Sequence, residues 1–219
     1  TEILNFHWNA GFEHPPLWQW TMHAWSAPFG QSEFALRLLP ALMGSLSIVL
    51  TWAWLRALWP RQTSLRLGTA ALVAISPVLV YYSQEARMYS VVLVLALCSL
   101  WAAAHLVNRP GAWGTVAFVA ANWLMTGFHY YSILLIGVEG LFFLLLAVWQ
   151  RKGWRQPLLW IGCAVISLIP IALWMAFAPG FRATIGVIGG DVGGGAGLSA
   201  LQVFDGIWRD LSFGGIRWQ

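Results

Sequence analysis

Long apolar runs divide this chain, near residues 36–58, 67–84, 88–107, 112–128, 131–149 and 157–178. Each approaches the ~20 apolar residues that a helix needs to cross the hydrocarbon of a bilayer. Inside lipid every backbone N–H and C=O must find its partner within the protein, and a helix achieves this within its own segment. The pattern therefore predicts an all-α fold, a polytopic transmembrane helical bundle of about six spans. Composition leaves little room for a water-soluble alternative. Hydrophobic residues make up 59% of the 219 positions and charged residues only 9%, against roughly 25% charged in a soluble domain. Three regions follow: an outer loop over 1–35, a bundle over 36–178, and a glycine-rich outer segment over 179–219.

The formal charge of +4 does not point to nucleic acid, because the cations sit in short turns between apolar runs. There they act as topology signals. Arg56, Arg61 and Arg66 flank one turn, Arg109 marks another, and Arg151, Lys152 and Arg155 a third. These turns alternate with 81–89 and 129–131, where Arg87 is the one cation. The positive-inside rule then assigns the Arg-rich turns to the cytoplasm of a multi-pass inner-membrane protein and the other turns to the exterior. Cys98 and Cys163 both fall inside apolar runs, which predicts neither a disulfide framework nor a cysteine metal site. The chain opens on Thr1 without a signal-peptide pattern and stops in what reads as mid-loop, so the expectation is a fragment of a longer protein.

Polar chemistry gathers on the predicted outer side. All five tyrosines lie at 81, 82, 89, 130 and 131, and four of the five histidines are outside. An aromatic belt would decorate both interfaces; tyrosine on one side alone favours chemistry there. Segment 14–28 is too short to span, and its Trp18, Trp20 and Trp25 suit a helix lying along the outer surface. Just before it stand Glu13 and His14, followed by Pro15 and Pro16. Glu13 can act as a base or a metal ligand, or simply favour the dipole of the helix that the prolines start. In 81–90, Tyr82, Glu85, Arg87 and Tyr89 offer an ionic and phenolic surface without Gly or Pro. Arg recognises phosphate bidentately, while the plainer alternative is a Glu85–Arg87 pair among belt tyrosines. His129 and Tyr130 form the third outer group. Glu139 lies ~12 Å down the following helix at 1.5 Å per residue. It is either functional or a protonated acid bonded to a neighbouring helix. The glycine-rich stretch 184–197 lacks the G-K-[ST] ending of a phosphate loop; it reads as a loop or as a lid over a site.

Taken in order, these segments resemble a known family. An acid-His-Pro-Pro-Leu start leads to Ser32-Glu33-Phe34-Ala35-Leu36-Arg37-Leu38 opening a span; Ser76-Pro77 runs into YYSQEARMYS, and a His-Tyr pair follows about forty residues later. The chain is similar over about 12–150 to the bacterial branch of the GT-C membrane glycosyltransferases, the protein-mannosyltransferase-like family 39, with lipid A aminoarabinose transferases among its relatives. The resemblance implies a multispanning enzyme with an extracytoplasmic site. It would use a polyprenyl-phosphate-linked sugar and invert the anomeric carbon, sometimes with a divalent metal ion. It gives Glu13 the role of base or metal ligand and Arg87 that of meeting the donor phosphate, with Glu85, Tyr82 and Tyr89 around it. His14, His129, Tyr130 and Glu139 are further site candidates. The family's usual Asp-Glu pair well upstream of HPPL has no counterpart here, since Glu2 has no acidic neighbour, so the resemblance implies a main base outside this fragment with Glu13 assisting; Glu139 stands where many relatives carry Gln.

Two other functions fit the same residues. One is a non-catalytic GT-C-like subunit of a larger membrane complex; the other is a lipid or polyisoprenoid transporter using the same outer cavity. Expected partners are the lipid-linked donor, membrane lipids and other membrane proteins, with no nucleic acid.

Overall fold

The computed structural model describes residues 15–108, 111–149 and 155–177. Among them are eight helices and no strand: α1 Leu17–Phe29, α2 Glu33–Leu58, α3 Thr63–Ile75, α4 Pro77–Gln84, α5 Tyr89–Asn108, α6 Ala112–Phe128, α7 Ser132–Trp149 and α8 Arg155–Phe177. The helical bundle read from the apolar runs is what forms.

Local chemistry sets the boundaries. Helix α1 ends at Gly30, whose φ of +83° suits a residue without Cβ and whose N–H donates to Ser26 O at 2.9 Å. Ser32 then caps α2 by accepting from the Ala35 N–H at 3.2 Å, and Glu33 in the first turn favours the helix dipole. The run 67–84 becomes two helices bent by 53°. Pro77 cannot donate to the preceding turn, so α3 stops at Ile75 and Pro77 opens α4 at a position where no donor is needed. Pro170 was expected to have a similar effect, yet α8 runs through it. The ring leaves the carbonyl of Ile166 without its helical donor, and Trp123 Nε1 on α6 supplies one at 2.8 Å.

By length and composition α2 and α5 can each cross a membrane, and the bent pair α3–α4 has the length and composition of a third crossing if its two halves form one broken span rather than a re-entrant loop. Over their described lengths α6, α7 and α8 do not reach that standard; Ser132–Leu145 within α7 and Leu158–Trp174 within α8 are shorter apolar stretches, so two to three of the six expected spans are of this grade.

Buried side chains form a cluster at each end of the bundle. One joins Trp18, Leu39, Met88, Val91 and Phe128, from α1, the start of α2, the turn before α5, α5 and the end of α6. The other joins Ala102, Leu106, Phe118, Phe143, Trp160 and Cys163, from the far end of α5 and its neighbours. Close approaches tie elements to the first end. A Cβ at Gly44 would meet Ser83 Cβ at 2.5 Å, so α2 and α4 touch there because α2 has no side chain. Gly127 on α6 likewise receives Leu17 of α1, whose Cδ2 would lie 2.9 Å from an added Cβ.

Candidate functional site

The two tyrosine-bearing turns, separated by some forty residues, meet at the first end of the bundle. Tyr82 sits at the end of α4 and Tyr89 at the start of α5, with ring centroids 4.5 Å apart. Tyr89 in turn lies 5.9 Å from the ring of His129, and His129 lies 5.4 Å from Tyr131. Tyr81 extends the row at 5.3 Å from Tyr82. Helix α1 joins through the cluster described above, where Leu17, Met22 and Trp25, like Tyr89, pack against the buried side chains. The helix that follows the Pro-Pro pair is therefore seated against both turns. Glu13 and His14 themselves lie outside the described residues.

Arg87 projects from this row. Its Nε is 3.7 Å from Glu85 Oε2, a charge contact longer than a hydrogen bond, and its side chain is 63% exposed. A hydrogen bond with Tyr89, ahead of the Glu85 charge, holds the guanidinium above its ordinary value. It is cationic at every working pH. The loop is braced from below: Ser90 Oγ donates to Tyr82 O at 3.0 Å, and the buried Met88 anchors the turn in the core. The arrangement is a fixed, exposed cation on an aromatic and phenolic floor, which can take an anionic oxygen and the face of a sugar ring.

The second turn is fixed in the same manner. The Tyr131 N–H donates to His129 Nδ1 at 3.2 Å, which puts the proton of the neutral ring on Nε2. Trp174 Nε1 on α8 donates to the Tyr130 hydroxyl at 3.1 Å. Burial pushes the Tyr130 phenol up from its usual value, and the Trp174 bond pulls the other way. Trp174 escaped the sequence reading because nothing in an apolar run marks which indole will turn inward.

Glu139 is not part of this row. It lies two helical turns down α7, 2% exposed, where Ser99 Oγ of α5 donates to its Oε2 at 3.0 Å. Asn122 Nδ2 of α6 donates to Ser99 Oγ at 3.0 Å, so three helices share one polar knot. This is the geometry of an acid bonded to its neighbours. Its Oε1 finds no partner; the carboxyl borders an apolar groove of about 530 Å³ lined by Leu58, Leu100, Val107 and Phe142 among others. Asn122 was missed, although an amide in mid-span is also costly to bury without a partner and could have been singled out.

The metal expectation rests on Glu13. Among the described residues no three His, Cys, Asp or Glu side chains come together, and the steps proposed below use side chains alone.

Comparison with known proteins agrees with this picture. A family model described as dolichyl-phosphate-mannose-protein mannosyltransferase matches residues 13–177. The chain is also similar to the undecaprenyl phosphate-alpha-4-amino-4-deoxy-L-arabinose arabinosyl transferase of Enterobacter sp. (strain 638), at 29% identity over 176 residues. That match covers 76% of this chain and 30% of the Enterobacter protein, so the chain spans less than a third of its relative's length. No solved structure gives a significant match.

Proposed function

The chain belongs to the dolichyl-phosphate-mannose-protein mannosyltransferase family, and on that premise we propose that it is a membrane glycosyltransferase. It moves a sugar from a polyprenyl-phosphate donor to an acceptor hydroxyl at the extracytoplasmic face of the inner membrane, within a bundle of six crossings. The observation that carries this reading is Arg87, cationic and 63% exposed beside the Tyr82–Tyr89–His129 row. The similarity to an enzyme named for undecaprenyl phosphate supports a lipid-phosphate donor.

In the proposed step the acceptor oxygen attacks the anomeric carbon while the bond from that carbon to the phosphate oxygen breaks. The electron pair leaves with the lipid phosphate, and the hydroxyl proton passes to a carboxylate. Glu13, directly before the HPPL segment, is the carboxylate we assign to that role. One displacement inverts the anomeric centre. Arg87 meets the charge that grows on the departing phosphate, the kind of electrostatic contribution that dominates many transfer reactions. Tyr82 and Tyr89 floor the sugar, and Glu85 sets the direction of the guanidinium. His129 and Tyr130 line the surrounding rim, and His14, next to Glu13 in the sequence, is a further candidate.

The test is direct. Full-length protein in proteoliposomes is supplied with polyprenyl-phosphate-linked sugars, and sugar appearing on an acceptor hydroxyl is measured. Transfer that needs Arg87 supports the proposal. Movement of the intact lipid without transfer indicates a transporter, and neither activity indicates a non-catalytic subunit; either result overturns it.

A further inference from the structure

At the opposite end of the bundle two arginines share one indole. The Arg56 guanidinium carbon lies 5.4 Å from the centroid of the Trp52 ring, and that of Arg66 lies 5.6 Å from the same ring. Both cations were read from the sequence as turn residues marking topology. Arg66 instead stands in the first turn of α3, 7% exposed. Its Nη2 donates to Thr63 Oγ1 at 2.6 Å, which folds the guanidinium back over the start of α3, and its Nε has no acceptor. Helix α3 begins there without help: Gln62 makes no side-chain capping bond and the first turn holds no acid. The carboxylates among the described residues lie elsewhere, Glu33 with Arg37, Glu85 with Arg87, and Glu139 in the central knot.

Two guanidiniums gathered around one indole bring two positive charges to this end, and an uncapped helix start adds positive potential of the same sign. A buried donor left unmade is costly. All three features call for an anion, and the geometry of guanidinium forks and helix amides suits the oxygens of a phosphate. We propose that the Arg56–Trp52–Arg66 end of the bundle holds the phosphate of an anionic membrane lipid, at a site separate from the proposed catalytic row. The surroundings favour a lipid as the source. Leu65 and Leu67 on either side of Arg66 are 43% and 58% exposed, and Trp59 nearby is 44% exposed. Such side chains face acyl chains and the headgroup boundary, where lipid phosphates are concentrated. Positive charge alone would satisfy topology; a buried fork over a helix start adds recognition.

Binding is measured on the full chain in nanodiscs of phosphatidylcholine with or without phosphatidylglycerol, by thermal shift and by native mass spectrometry of retained lipid. Phosphatidylglycerol should raise the melting temperature and remain bound. Arg66→Gln should weaken that retention about fivefold or more, at ~1 kcal/mol per arginine near a membrane surface. Arg66→Lys should keep topology yet lose most of the preference, because the fork is gone. Arg56→Gln, at an exposed position, provides the same reading should Arg66 variants fail to fold. Arg61→Gln changes the same charge on an exposed neighbour and should have little effect. Equal loss in Arg61→Gln, or unchanged retention in the Arg56 and Arg66 variants, overturns the site. If millimolar inorganic phosphate in phosphatidylcholine alone gives the full shift, the source is a free anion and the lipid assignment fails.

Discussion

Arg87 is held by a charge contact of 3.7 Å to Glu85 and remains largely exposed. A surface pair of this kind contributes ~0–1 kcal/mol, so stability does not explain its position. Snorkelling would need only a positive charge, whereas phosphate recognition needs the planar fork. Arg87→Lys is therefore expected to fold normally and to lose donor use by roughly ten- to a hundredfold, the equivalent of ~1.5–3 kcal/mol for a charge-assisted contact. Glu85→Gln should do less, since the guanidinium stays available. Steady-state kinetics against donor concentration separates the two, and normal kinetics in Arg87→Lys removes the phosphate role. Glu13→Gln tests the base: turnover should fall while the melting temperature holds. A change confined to stability, at ~1 kcal/mol or less, would leave Glu13 as a helix-start residue only. At this scale the sequence was informative about which charged residues share the turn with Tyr82 and Tyr89. It put Arg66 in a turn instead of a helix, because a turn and the first turn of a helix look alike where Gln62 and Thr63 give only a weak helix-start pattern.

At the scale of elements, the bend at Ser76-Pro77 and the Trp-rich helix α1 were legible, because proline geometry and interfacial indoles act locally. The polar knot of Ser99, Asn122 and Glu139 was not. Helices α5, α6 and α7 are apolar apart from a few scattered polar residues; Glu139 was read as an acid that a neighbouring helix could bond, but nothing in the sequence pairs it with Ser99 and Asn122. The contact of α2 with α4 belongs to the same class: Gly44 and Ser83 are unremarkable alone and matter only because they touch. That contact positions α4, and α4 carries Tyr81 and Tyr82. Gly44→Ala should push α4 away, costing ~1–3 kcal/mol as an overpacked interface and lowering transfer through the displaced tyrosines. Ser83→Gly in the same chain removes the opposing Cβ and should restore most of both. Thermal melting and turnover of the single and double variants provide the measurement; a double variant no better than Gly44→Ala would show that α4 is positioned by something else.

For the whole molecule, orientation decides whether the Tyr82–Tyr89–His129 row and the Arg56–Trp52–Arg66 cluster face the compartments assigned to them. The two groups lie at opposite ends of the bundle: Trp52 and Arg56 are near the end of α2 and Arg66 at the start of α3, while Tyr82 ends α4 and Tyr89 starts α5. The positive-inside rule sends the arginine cluster to the cytoplasm, and the row then faces outward, where a lipid-linked sugar and its acceptor would meet. Single cysteines test this in a background with Cys98 and Cys163 replaced by Ala. Ser83 is a poor probe position because it is packed against Gly44, while Ala86 in the same turn and Gln62 at the start of α3 are both exposed. Ala86→Cys should react with a membrane-impermeant maleimide in intact spheroplasts. Gln62→Cys should stay unlabelled until the membrane is permeabilised. The reverse pattern would place Arg87 in the cytoplasm. The Tyr–His row would then have to act on a donor at the inner face, and Arg56 and Arg66 would bind lipid phosphate of the outer leaflet.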